Sequence, residues 1–222
     1  MKISRIIIIA FAAFVFGSIL ILFIDSKKHK IDELTEAEMK SFPLGSFSVL
    51  VAEKSADIHV DYANSSKIVL DISKNKVLKN KMYRLSNDTL YVYGGMRTFV
   101  KCKKLKAIIG HKQNWVGINS VGNDSLHLDI TGGQLVFNES GKHNMQLKSL
   151  AIHACDSAVI RAFAVSIDDL HIDAKEKAKL ECYGHYKNVD AQLNGKSELT
   201  FGNNPLSMAI KRDESSVINV YR

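Results

Sequence analysis

Between residues 149 and 220 apolar and polar residues alternate in short runs, and the runs recur at a nearly constant interval. Leu150, Ile152 and Ala154 are followed twenty residues on by Leu170, Ile172 and Ala174, and nineteen beyond those by Val189, Ala191 and Leu193. A second set keeps step with the first: Ala158, Ile160 and Ala162; Ala178, Leu180 and Cys182; Ser197, Leu199 and Phe201; Ser216, Ile218 and Val220. Strict alternation is the period of a strand with one buried face. So short a pair of strands cannot bury its apolar face alone. A repeat near twenty residues therefore predicts an all-β stack, a β-solenoid in which each rung covers the next. From Leu105 to Val220 the spacing allows roughly six rungs. The offset from Leu126 to Leu150 is longer, which puts an insertion around residues 141–145.

The first 45 residues read differently. Residues 6–24 are an unbroken apolar or small-residue run, flanked by Lys2 and Arg5 and by Asp25, Lys27, Lys28 and Lys30. As a helix they would reach about 28 Å, close to the hydrocarbon thickness of a bilayer. A cleaved signal peptide is the competing reading, but its apolar region is usually about 7–15 residues and ends at a small-residue cleavage site. Gly17 and Ser18 are the only candidates, and five more apolar residues follow them. The expectation is an uncleaved, single-pass signal anchor in a bacterial inner membrane, with the C-terminal domain in the periplasm or outside the cell. Basic residues flank both ends, so the positive-inside count does not choose an orientation. Residues 1–5 form a short tail and 25–45 a linker with a possible short helix. The head domain is 46–222, with cap strands at 46–102 and rungs at 103–222. Cys102, Cys155 and Cys182 are odd in number and lack metal-like spacing, which argues against a disulfide framework.

Phe47 and Val49 form an alternating entry strand, Asp57-Ile58-His59-Val60 follows, and Asp88-Thr89-Leu90-Tyr91-Val92 precedes the twenty-residue rungs. Together these stretches resemble the auto-transporter adhesin family known as the head GIN domain, over about residues 47–220. The resemblance implies a right-handed parallel β-helix in an exported bacterial protein, with no catalytic residues to carry over. Its Gly-rich rung turns are matched at Gly132-Gly133 and Asn194-Gly195, whereas Asp173-Ala174-Lys175-Glu176-Lys177 replaces one of them.

If the alternation is read correctly, outward residues stack in files. One file holds His127, Ala151, His171 and Asp190; its neighbour holds Asp129, His153, Asp173 and Gln192. Imidazole and carboxylate one rung apart suit hydrogen bonding, and His127, Asp129, His153, His171 and Asp173 are also candidate metal ligands. Yet His127 and His171 are two rungs apart, roughly 9–10 Å by the strand spacing, so a charge-compensating surface ladder is the simpler reading. On another face Arg161 beside Glu181 and Lys179 beside Glu198 read as structural cross-strand pairs. Two basic runs, Lys74, Lys76, Lys79, Lys81 and Arg84, then Arg97, Lys101, Lys103, Lys104 and Lys106, are a solvated face or, taken together, a polyanion-binding patch.

The formal charge of +7 permits an acidic partner. No recognition helix or RNA-stacking motif accompanies it, so nucleic acid is not expected. No catalytic residue, cofactor or convergent polar chemistry is expected either. The reading is a non-enzymatic, membrane-anchored extracytoplasmic module that binds or scaffolds in the bacterial envelope, an adhesin-like role. Its partners are the membrane through the N-terminal helix, a glycan or envelope protein, and a second copy through the C-terminal rung. The alternatives are an enzyme acting on acidic polysaccharides through Asp129, Asp173 and Asp190, or a self-assembling envelope stress or structural protein.

Overall fold

Alternation becomes strands throughout the computed structural model, which describes residues 39–71, 82–94, 97–113, 115–138 and 145–221. The expected anchor at 6–24 and most of the linker lie outside these residues, as do residues 141–144 of the insertion. Among the described residues every element is a strand, and no helix is long and apolar enough to cross a membrane.

The strands are β1 (Met39–Pro43), β2 (Val49–Ala52), β3 (Asp57–Tyr62), β4 (Lys67–Asp71), β5 (Tyr83–Ser86) and β6 (Thr89–Val92). Next come β7 (Arg97–Cys102), β8 (Ala107–His111), β9 (Trp115–Ile118), β10 (Ser125–Thr131) and β11 (Gln134–Phe137). Three long strands follow: β12 (Met145–Cys155), β13 (Val159–Ala174) and β14 (Lys179–Leu193). The last are β15 (Glu198–Phe201), β16 (Ser207–Arg212) and β17 (Val217–Val220).

Two parallel ladders carry the architecture. In the first, β6, β2, β8, β10, β12, β13, β14 and β16 pair in that order. In the second the order is β7, β3, β9, β11, β13, β14, β15 and β17. The twenty-residue step is the register itself: Leu150 faces Leu170, and Leu170 faces Val189. Parallel pairing also extends into the stretch read as cap. Val49 faces Thr89 on one side and Ala107 on the other, so β2 and β3 lie between levels that come later in the chain. The chain leaves that level through β4 and β5, which pair antiparallel with β7 and β6, while β1 pairs antiparallel with β4. The sheet is therefore mixed, and among the described residues its antiparallel part is confined to these three additions.

A third, shorter file arises because β12 to β14 run on through bends. Met145 faces Val165 and Leu147 faces Ile167, which in turn faces Tyr186. All five are buried. The bend shows as a register shift between Phe163 and Ser166, with Ala164 at φ 47°.

Inward residues form one continuous core, and among its largest fully buried side chains are Phe137, Phe201, Leu128 and Ile130. The cysteines are free thiols, and Cys102 and Cys182 belong to that core. Burial pushes their thiols up to about 11 and about 12, which keeps them protonated and poorly nucleophilic.

At the corners between the ladders the backbone turns through left-handed residues. Ser157, Lys177 and Lys196 have φ of 63°, 68° and 66°, close to the 68° of Gly132 on an earlier level. The rung without a Gly turn thus also turns through left-handed residues. The last corner is closed by a side chain instead: Asp213 accepts from the amide of Gly195 (2.7 Å) and the hydroxyls of Ser216 (2.7 Å) and Ser215 (2.9 Å). Those hydrogen bonds, Ser216 first, lower the Asp213 carboxyl from 3.8 to about 2. A carboxyl lowered on folding stabilises the fold fully above the unfolded value, and that contribution is lost as pH falls through the folded one. In urea titrations, wild type is expected to exceed Asp213→Asn in stability above about pH 4. The gap should close between there and pH 2; a gap constant across that window would exclude this linkage.

Candidate binding surfaces

The outward files follow from the register of the inward ones. His127 faces Ala151, which faces His171, which faces Asp190; beside them run Asp129, His153, Asp173 and Gln192. Ala209 and Lys211 extend the two files by one level. Most of these residues line an open concavity of about 360 Å³ that includes all three histidines, Asp173, Asp190 and Lys211. Asp129 is not among its lining residues.

Within it Asp173 is the most engaged charge. His153 Nδ1 lies 3.1 Å from Asp173 Oδ2, and the Lys175 ammonium donates to the same oxygen at 2.9 Å. That bond raises the pKa of Lys175. Asp173 Oδ1 is buried without a protein partner. His171 Nδ1 sits 3.9 Å from Asp190 Oδ2, a looser contact between two exposed groups. Among the described residues no three His, Cys, Asp or Glu side chains converge as metal ligands would. The reason is spacing: Ala151 keeps His127 and His171 two levels apart, and the near side of Asp173 is already engaged.

The Arg161 side is also self-contained. Arg161 Nε donates to Glu181 at 2.9 Å, and Lys179 lies 3.3 Å from Glu181 and 3.8 Å from Glu198. Pairs of this exposure contribute up to about 1 kcal/mol each.

The basic set separates into parts. Lys74, Lys76, Lys79 and Lys81 lie outside the described residues. Arg84 sits over the ring of Tyr91, 4.7 Å from its centroid, and Arg97 Nε is 4.0 Å from Asp57. Lys101 stands between Asp61 on β3 and Lys67 on β4. Lys103, Lys104 and Lys106 occupy the turn between β7 and β8, all exposed. This turn is held from inside. Leu105 is buried, its amide donates to Asn123 Oδ1 at 2.9 Å, and the Asn123 amide returns a bond to the Leu105 carbonyl. The amides of Lys106 and Ala107 both donate to the Ser48 carbonyl.

Four lysines higher in the stack differ. Lys112, Lys148, Lys175 and Lys187 each lie within 3.1 Å of an Asp oxygen, on Asp156, Asp124, Asp173 and Asp168. Among the described residues, Lys103, Lys104 and Lys106 have no acidic partner. The sequence showed the charges of this turn, but not that Asn123, eighteen residues away, fixes it.

Comparison with known proteins bears on the fold. No family model matches the chain, and no curated protein matches it. Among solved structures, a "putative adhesin" of Bacteroides fragilis aligns over 82% of this chain and 95% of its own, with a TM-score of 0.61 at 11% identity. A "putative adhesin" of Parabacteroides distasonis aligns over the same shares with a TM-score of 0.55, also at 11% identity. At that identity the likeness is one of fold.

Proposed function

We propose that this chain is a non-enzymatic binding module of the bacterial envelope, a right-handed β-solenoid of the head GIN kind carried on a membrane anchor, and that it holds acidic glycans. One observation carries the reading: Lys103, Lys104 and Lys106 cluster on one turn whose backbone is held by Asn123 and Ser48, and among the described residues none of the three has an acidic partner. Three ammonium groups on one fixed turn create a local positive potential without an internal counter-charge. An acidic polymer supplies that counter-charge. The likeness to adhesin folds agrees with a binding role, and the residues at 6–24 would hold the module at the membrane.

The test uses the full chain in a detergent without a sugar headgroup, polygalacturonate as the acidic glycan and dextran as the neutral one. Wild type is expected to retain polygalacturonate, less so as salt rises. The variant Lys103→Glu/Lys104→Glu/Lys106→Glu should bind it about tenfold more weakly, a loss of about 1.4 kcal/mol. Retention by the variant equal to wild type, or release of new chain ends from the polymer, would defeat this reading.

A further inference from the structure

We propose that a second surface, the trough along the third file of strands, binds an uncharged glycan chain. Two concavities of about 410 and 290 Å³ share Ser166, Asp168 and Lys187, and so form one trough running along the stack. It spans from Asp124 to Leu206 across four strand spacings, roughly 19 Å. One end of this surface adjoins the lysine turn, since Asp124 follows Asn123, which bonds Leu105, but the inference does not depend on that turn.

One wall is an alternating file of charge. Lys148 lies 2.6 Å from Asp124 and Lys187 lies 2.7 Å from Asp168, so two acids and two bases cancel within the wall. A charged ligand would have to break those pairs, whereas a neutral one can use their remaining donor and acceptor capacity. Beside this wall Gln146 faces Ser166 and Ser166 faces His185, each side chain pointing outward at one-level intervals. Amide, hydroxyl and imidazole groups both donate and accept hydrogen bonds. A row of them matches the hydroxyls of a sugar chain, which also do both. A β-linked pyranose chain advances by nearly one strand spacing per sugar, so successive sugars meet successive levels.

The same strands carry an aromatic pair just beyond the bend. Phe163 and Tyr183 stack with centroids 5.5 Å apart and planes within 5°. They are 37% and 41% exposed, unusual for rings on a stack whose other large apolar residues mostly point inward. Gly202 follows on the next level, and a Cβ there would come within 2.6 Å of the Tyr183 ring. The absence of a side chain at Gly202 is what lets that ring lie across the level. Neither ring is among the residues lining the two concavities, so the pair belongs to the far side of the bend and not to the trough itself.

The probes are hexamers of β-1,4-linked glucose and of β-1,4-linked N-acetylglucosamine, with a hexamer of galacturonate as the charged control. Titration uses the full chain in the same detergent. At least one neutral hexamer is expected to bind with an affinity unchanged between 50 and 500 mM salt, on the order of the screening range that removes surface charge effects. His185→Ala and Gln146→Ala should each weaken it about tenfold, while Lys103→Glu/Lys104→Glu/Lys106→Glu leaves it unchanged. Both trough side chains are exposed, and an unaltered urea midpoint would show that each variant is folded. The proposal is overturned if neither neutral hexamer binds, if binding survives both trough substitutions, or if it disappears with salt or with the lysine variant.

Discussion

Phe137→Ala is expected to destabilise the fold by about 3–5 kcal/mol, the upper part of the range for core truncations. Phe137 is fully buried at the end of β11, facing Ile118 on one side and Ala162 on the other. The inward file then continues through Cys182, Phe201 and Val220. Two small residues thus lie between two phenylalanines, and the rings supply volume that Ala162 and Cys182 do not. In a helix bundle a neighbouring helix can shift to fill such a hole. Here the backbones on both sides are pinned at the strand spacing by ladder hydrogen bonds, so most of the cavity should persist. Urea unfolding checks this: the midpoint falls while the slope stays at the wild-type value. Phe137→Leu, which retains most of the volume, should cost only about 1 kcal/mol. A loss under about 1 kcal/mol for the alanine variant would mean that the stack collapses around the gap.

The same pinning explains which parts of the fold could be read from the chain. Along residues 149–220 each level faces the next at an offset of nineteen or twenty, so alternation alone fixes which residues share a file. That is why the His and Asp files emerged in the right order. The offsets from Val49, forty to Thr89 and fifty-eight to Ala107, obey no such period because β4 and β5 intervene. The trough was hidden for another reason. At the bend Phe163 and Ala164 are both exposed, and between β14's second and third segments Lys187 and Asn188 are too, so alternation slips by one and reads as a turn. Yet Val165 and Ile167 repeat Met145 and Leu147 at twenty residues, a signal the same periodicity could have caught. Side-chain pairing is a further step removed. Register brings His153 between Asp129 and Asp173, but only rotamers decide that it turns to Asp173.

Gly133→Ala should cost about 3–5 kcal/mol, and Gly132→Ala, one residue away, about 1 kcal/mol. Both glycines have positive φ, 68° at Gly132 and 77° at Gly133, so dihedral preference alone would rank them together. Space separates them. A Cβ at Gly132 meets the Asp156 carbonyl oxygen at 3.3 Å and the flexible Lys112 side chain at 3.4 Å. One at Gly133 would lie 2.1 Å from the backbone carbonyl oxygen of Gln113, which cannot move without breaking the corner. The level sequence explains the difference. Ser157, Lys177 and Lys196 adopt the Gly132 conformation with full side chains. On those later levels the corner is one residue longer, and buried Ala158, Ala178 and Ser197 stand where Gly133 stands, as the amides of Val159, Lys179 and Glu198 bonding to Gly133, Ala158 and Ala178 indicate. The shorter corner after β10 forces its second residue against the level below, and only hydrogen fits there. Comparing urea midpoints of the two variants separates the causes: near-equal losses would assign the requirement to φ, whereas a loss at Gly133 several times larger assigns it to the approach of Gln113.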